Sequence, residues 1–231
     1  ILLEPQSTNL ITYSEDFSNA IWVSGTTADI VLSTNLSPDG TQNAYEVTYG
    51  GSGNRLRMAN FGLPITPHTN SIYIRKVSGS GVVDFIDQLG GSNTITITED
   101  WKRYSVTKTL TDGTARLYVY LQTLGDVIEV YGAQQEELPY ATSYIPTSGA
   151  IATRLADSVT GAGDATTFNS TEGVLYAEIA AFENTTSAQF ITIGDGTYDN
   201  RASISLSSSP AWSFRVILRV GGVPQVDRNI L

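Results

Sequence analysis

The sequence predicts an all-β protein made of two antiparallel β-sandwich domains of jelly-roll type. Three observations predict it. Apolar residues alternate along short runs and do not recur at helical spacing. Turn-forming stretches such as "SPDG", "SGSG", "LGGSN" and "TDGT" separate those runs. Of the 231 residues 41% are hydrophobic and only 16% charged, which suits a β-rich, loop-rich chain with a real core.

In chain order, the alternating runs are "DIVLS" (29–33), "NAYEVTY" (43–49), "NSIYIRKV" (70–77), "VVDFIDQL" (82–89), "TITIT" (94–98), "KRYSVTKTL" (102–110), "ARLYVYLQT" (115–123) and "VIEVYGAQ" (127–134). Eight short strands separated by tight turns make a sandwich. The pattern resumes with "GVLYAEIAAF" (173–182), "AQFITIGD" (188–195), "RASISLSS" (201–208) and "SFRVILRV" (213–220). No run has the period of a helix. In the last strand of the first set, Val127, Glu129 and Tyr131 share one face and Ile128 and Val130 the other. "LPYATSYIPTSG" (138–149) follows as its exit. Pro139 and Pro146 bar it from a central strand, and Tyr140, Tyr144 and Ile145 are too apolar for a free linker. The exit is therefore expected to pack on the first domain as a stiff joint, giving domains 1–149 and 150–231.

Charge and composition exclude several functions. Thirteen Lys and Arg against 23 Asp and Glu leave a net charge of −10, so DNA and RNA are repelled and no nucleic-acid partner is expected. The chain has no cysteine, which removes disulfides, thiolate nucleophiles and Cys-based metal sites. No apolar run approaches ~20 residues, so insertion into a membrane is not expected. The chain has one histidine, His68, in the polar stretch "ITPHTNS", where a solvated side chain is expected in place of a catalytic base. No nucleophile-elbow, phosphate-loop or zinc-protease motif occurs. "GDGTYDNR" (194–201) lacks EF-hand spacing and reads as a hairpin turn.

Paired carboxylates would serve glycoside hydrolysis. The candidates are Asp84/Asp87, Glu99/Asp100, Glu136/Glu137 and Glu15/Asp16. On a strand, odd spacings put the two members on opposite faces, so none of these pairs can converge on one bond. The chain reads as no enzyme. Trp22, Trp101 and Trp212 are assigned to the core or to a domain edge.

Sugar recognition uses aromatic faces beside hydrogen-bonding side chains. In "ARLYVYLQ", Arg116, Tyr118, Tyr120 and Gln122 alternate with the aliphatic Leu117, Val119 and Leu121. In "SIYIRK", Tyr73 and Arg75 oppose Ile72 and Ile74. Two Tyr-and-Arg stripes predict a concave polar-aromatic face. A solvated face or a subunit interface is the alternative, because tyrosine also anchors protein interfaces.

Four stretches, "NLITYSEDFSNAIW", "NSIYIRKVSGSG", "TEDWKRYSVTKTL" and "VYGAQQEELPYATSYIPTSGAIATRLAD", occur in this order. The set resembles the carbohydrate-binding-module-like jelly rolls of bacteriophage tail and fibre proteins and of some marine bacterial surface proteins. "STEGVLYAEIAAFENTTSAQFITIGDGTYDNRASISL" resembles the opening of a concanavalin A-like (laminin G-like) sandwich. The resemblance implies a non-enzymatic virion protein, of tail-fibre or capsid-fibre type, that attaches to host surface glycans. Its place would be a virion or the extracellular space, and its partners other virion proteins and further copies of itself in a trimer. It also implies a structural calcium ion at Glu15, Asp16 and Glu136, tying the N-terminal segment to the last strand. Solvated acids at a sheet edge are the alternative there. Two other functions stay open: a purely structural virion protein, and an accessory glycan-binding module of a secreted polysaccharide-degrading enzyme. Residues 150–231 supply too few strands for a whole concanavalin A-like sandwich and leave Val216, Leu218 and Val220 uncovered. Continuation of the chain beyond Leu231 is expected.

Overall fold

The computed structural model describes residues 4–22, 29–51, 53–58, 61–86, 93–158, 173–178, 189–207 and 213–230. The protein is all-β, with antiparallel pairing throughout. It divides into two compact units, Ile1–Ser158 and Val159–Leu231.

The first unit opens with β1 (Ser7–Asn9) and a single 3-10 turn at Ala20–Trp22. The strands β2 (Asp29–Leu32), β3 (Tyr45–Thr48), β4 (Arg55–Arg57) and β5 (Phe61–Gly62) follow. Then come β6 (Pro67–Ser78), β7 (Val82–Ile86), β8 (Asn93–Thr96) and β9 (Lys102–Thr109). The unit closes with β10 (Thr114–Ala115), β11 (Tyr118–Leu121), β12 (Val127–Glu136) and β13 (Ala152–Arg154). A five-stranded sheet runs β2-β3-β12-β6-β9, and a four-stranded sheet runs β4-β11-β7-β8. Alternation decides which side chains meet between them. Val47, Ile72, Ile74, Val106, Ile128 and Val130 come from the first sheet. Leu56, Val83, Phe85, Val119 and Leu121 come from the second. All lie in one buried cluster, which also takes in Phe17 and Trp22 from the N-terminal segment.

The far face of the five-stranded sheet is covered as well where β12 crosses it. Glu129 and Tyr131 point there, as the alternation predicts, yet they are 0% and 4% exposed. The N-terminal segment and the exit both lie against β12. Leu10 N–H donates to Gln135 O (2.9 Å) and Ala133 N–H to Ser14 O (2.9 Å). The Asn9 amide donates to Ala133 O (3.1 Å) and Ile145 O (2.8 Å), which accounts for a fully buried asparagine. A register shift between Tyr131 and Gln134 marks a bulge. Gly132 sits in it at φ 60°, and a Cβ there would meet the Tyr144 ring at 3.1 Å.

β13 pairs with β1, Ser7 opposite Arg154 and Asn9 opposite Ala152. Residues 150–158, placed by the sequence with the second domain, thus lie with the first unit. Arg154 bonds Glu4 (3.1 Å) and reaches Asp157 (3.6 Å), and Asp157 N–H donates to Glu4 O (2.9 Å). A fragment ending at residue 149 lacks this ladder. It is expected to fold but to lose about 1–2 kcal/mol against one ending at residue 158. Its calorimetric midpoint should fall by roughly 2–8 °C. Equal midpoints would show that the ladder adds nothing.

The second unit contains one sheet among its described residues: β14 (Gln189–Gly194), β15 (Arg201–Ser207), β16 (Ser213–Val220) and β17 (Val223–Ile230), paired in that order. The sequence pattern does not mark β17, because Pro224 interrupts it. As an edge strand it tolerates a proline. One face carries Phe214, Val216, Leu218 and Val220 beside Ile204, Leu206, Val226 and Ile230. Phe214, Leu218 and Val226 are each 39% exposed and Val220 57%. The described residues 173–178 hold no strand, and the rest of the run predicted at 173–182 lies outside the described residues, as do Trp212 and Asp87.

Candidate functional site

The two predicted stripes do not form one surface. Tyr73 and Arg75 lie on β6 in the five-stranded sheet, and Tyr118 and Tyr120 lie on β11 in the four-stranded sheet. Ile72, Ile74, Val119 and Leu121 meet in the core between the sheets, so the alternating residues on the two strands point away from each other. Sequence could not show this, because strand periodicity gives a face but not the sheet to which the strand belongs.

Tyr73 and Arg75 are engaged internally. The Tyr73 ring lies 5.9 Å from Tyr131 and 6.4 Å from Tyr144, with the Arg103 guanidinium 5.7 Å from its centre. Arg103 itself donates to Thr142 O (2.5 Å) and Ser71 Oγ (2.7 Å). Arg75 Nε bonds Glu129 at 2.5 Å and its guanidinium lies over Trp101 at 5.0 Å. Burial works to raise the Glu129 carboxyl. Hydrogen bonds from Ser33, Asn35 and Arg75 outweigh it and hold the group below its ordinary value. This is a structural network that locks the loop after β2 to the sheet.

The four-stranded sheet presents a different outer face. Tyr120 lies between Asp84 of β7 and Arg55 of β4 in register, and Tyr118 between Ile86 and Arg57. The Arg55 guanidinium is 5.5 Å from the Tyr120 ring and donates to its hydroxyl at 3.1 Å. Arg57 is 5.3 Å from the Tyr118 ring, and the two tyrosine rings meet edge to face at 6.0 Å. Tyr118 is buried, whereas Tyr120, Arg55, Arg57 and Asp84 are half-buried. Thr94 Oγ1 donates to Asp84 at 2.6 Å. Arg116 precedes β11 and is 6% exposed, its guanidinium held by Asp112 at 2.8 Å. Gln122 follows the strand and is exposed. The arginines at 55 and 57 were missed. Their alternation in "RLRM" was the available signal, but three residues are too few to read as a strand.

The three predicted calcium ligands do not assemble. Glu136 is fully buried and takes hydrogen bonds from Ser7 Oγ (2.6 Å), Thr142 N–H (3.0 Å) and Thr142 Oγ1. Glu15 instead lies near Tyr131 and Tyr144, 3.1 Å from each hydroxyl. Burial first, then the Glu15 charge, pushes both phenols well above the usual tyrosine range, with Asp39 adding to the effect at Tyr131. Asp16 binds Ser18 and Tyr45. Glu15 and Asp16 line a cleft of about 290 Å³ with Tyr13, Asn43 and Tyr45. No group of three or more metal-binding side chains occurs among the described residues, and the trio does not fit a calcium ion.

His68 is not solvated. It is 2% exposed within β6, with Nδ1 2.8 Å from Thr66 O and Nε2 without a partner among the described residues. Glu99 and Asp100 are exposed on a turn, and Glu137 accepts from Thr66 (2.9 Å). "GDGTYDNR" does form the turn between β14 and β15.

No family model and no curated protein matches the chain. Several solved structures do. A CBM4 carbohydrate-binding module is 15% identical, with 49% of this chain covering 81% of that one at a TM-score of 0.35. The tandem CBM22 domains of Paenibacillus barcinonensis Xyn10C are 13% identical, with 93% of this chain and 65% of that one covered at a TM-score of 0.42. The tripod from the baseplate of bacteriophage Tuc2009 is 13% identical, with 97% and 95% covered at a TM-score of 0.30. The chain is thus similar to carbohydrate-binding modules and to a phage baseplate protein, in an all-β architecture of antiparallel sheets.

Proposed function

We propose that the chain is a non-enzymatic binding protein of a phage virion, of tail-fibre or capsid-fibre type, attaching to host surface glycans through the outer face of the four-stranded sheet. What carries the proposal is the pairing of Arg55 and Arg57 with Tyr120 and Tyr118 beside Asp84. The half-buried Tyr120 ring with the half-buried Arg55, Arg57 and Asp84 supplies ring stacking and hydroxyl recognition together, over the buried Tyr118. The virion setting rests on the ordered set of sequence motifs. Stacking one sugar on a tyrosine contributes about 1 kcal/mol. With hydrogen bonds to the sugar hydroxyls bringing the total to about 4 kcal/mol, a single site binds at about 1 mM. Useful adhesion comes from many copies on one particle, and a trimer would be one such array.

An Arg55→Ala plus Tyr120→Ala variant should keep its circular dichroism and lose glycan-array signal and cell adsorption. Undiminished adsorption by the folded variant would end this assignment. A second function, structural assembly through the second unit, is favoured by its exposed apolar face of Phe214, Leu218, Val220 and Val226. Sedimentation separates the two. Assembly through that face would fail in a Leu218→Asp variant while adsorption per monomer survives.

A further inference from the structure

The turn between β14 and β15 is tightly built. Asp195 accepts from Thr197 N–H (2.9 Å), Thr197 Oγ1 (2.6 Å) and Asn200 Nδ2 (2.8 Å). Asn200 Oδ1 accepts from Gly221 N–H (2.7 Å) and Asp199 O from Gly222 N–H (3.0 Å), which ties this turn to the one between β16 and β17. The scaffold presents Tyr198. Arg201 and Arg219, directly opposite each other on β15 and β16, bring their guanidinium carbons 4.0 and 4.5 Å from its ring centre. Even so, Tyr198 remains 59% exposed, so ring surface is open to a ligand.

Neither guanidinium is neutralised by a carboxylate in contact with it among the described residues, although Arg219 acts at longer range on Asp227. Their neighbour Arg215 is bound by both oxygens of Asp227, at 2.8 and 2.7 Å. Among the described residues neither Arg201 nor Arg219 has an ion pair, and Arg219 makes one hydrogen bond, to Gly222 O at 3.1 Å. Nε of both is buried without a partner among the described residues. The Asp195 carboxylate is already taken up by Thr197 and Asn200, and Asp199 is the remaining acid of the turn. Beside Tyr198 and Arg201 lies a cleft of about 340 Å³ walled by Thr192, Gly194, Gly196 and Thr197.

We propose that this cleft is a second ligand site, for an acidic sugar: a pyranose ring stacked on Tyr198 with its carboxylate on Arg201 and Arg219. A guanidinium matches a carboxylate in a two-bond fork. An exposed phenol ring takes the C–H face of a sugar. The Thr192 hydroxyl serves a ring hydroxyl. A bare anion would use the arginines and leave the ring and the cleft empty. The site lies in the second unit and requires a carboxylate on its ligand, so it goes beyond the glycan face proposed for the first unit. The net charge of −10 works against long-range capture, so contacts inside the cleft must supply the affinity.

The test is ligand-observed NMR titration of the full chain with methyl glucuronide, methyl glucoside and inorganic phosphate. Glucuronide should bind saturably at about 1 mM, and the glucoside at least about fivefold more weakly. Tyr198→Ala and Arg201→Gln should each weaken glucuronide binding about fivefold. The Tyr198→Ala and Arg201→Gln losses should also appear in an Arg55→Ala plus Tyr120→Ala background, which separates this site from the first-unit face. Arg201→Lys, which keeps the charge but not the fork, should lose most of the preference for the carboxylate and covers the case in which Arg201→Gln misfolds. No saturable binding, equal binding of the glucoside, phosphate binding as tight as glucuronide, or survival of binding in folded Tyr198→Ala would each overturn the proposal.

Discussion

Replacing Arg75 by alanine is expected to destabilise the first unit by about 2–4 kcal/mol, read as a lowered urea midpoint at constant slope. Glu129 has no exposed surface, and Arg75 is its only cationic partner among the described residues. Removing one member of a buried pair leaves an uncompensated charge, which costs about 3–5 kcal/mol when both are fully enclosed. The Arg75 side chain is 25% exposed, so water relieves part of that. Glu129→Gln in the Arg75→Ala background should recover part of the loss, because the amide keeps contacts to Ser33 and Asn35 without the charge. Acid should act in the same direction. The folded Glu129 carboxyl is held below its ordinary value of 4.5, so its contribution is present above that pH and is lost as pH falls through the folded value. Arg75→Ala should flatten this acid dependence. Wild-type stability in Arg75→Ala, with loss of glycan binding, would return Arg75 to the role of ligand residue.

The second large effect is at Trp22. Its ring is 0% exposed, lies 4.7 Å from Phe17, and donates its indole N–H to Tyr13 O at 2.7 Å. Trp22→Ala empties the largest enclosed side chain of the core and strands that carbonyl, for about 3–5 kcal/mol. For a unit of this size the calorimetric midpoint should drop by roughly 6–20 °C. Trp22→Phe should recover most of the packing but not the hydrogen bond. A fall of only a degree or two in Trp22→Ala would mean that the N-terminal segment contributes little to the core.

Long strands were readable because they alternate over many residues. β6, β9, β12, β15 and β16 were all found in that way, within a few residues at each end. Three kinds of information were absent from the alternation. Very short strands such as β1, β4 and β13 fall below the length at which a period can be told from chance. Sheet membership depends on long-range pairing, so Tyr73 and Tyr118 shared a residue pattern without sharing a surface. Burial of an outward face depends on what lies across it. Nothing local to "VIEVYGAQQE" announced that both Glu129 and Glu136 would be enclosed, because their covers come from residues 7, 33, 35 and 142. A hydrophobic count therefore undervalues this unit, whose second buried layer is polar and closed by hydrogen bonds.

The pairing of β1 with β13 fixes how the first unit would bear load. Ser7 faces Arg154 at the end from which both chain directions depart, and Glu4 and Asp157 lie joined just beyond it. The two tethers leave side by side. Tension between them opens the ladder like a zip, one pair at a time: Glu4 from Arg154 and Asp157 first, then Ser7, Thr8 and Asn9 in turn. Unzipping needs far less force than shearing the same bonds together. A pull between the two tethers would thus release this short clasp before it reached β12 and the sandwich behind it. The clasp would then yield and re-form while the core stays folded, a mechanical fuse at the end of the unit from which both chain directions depart.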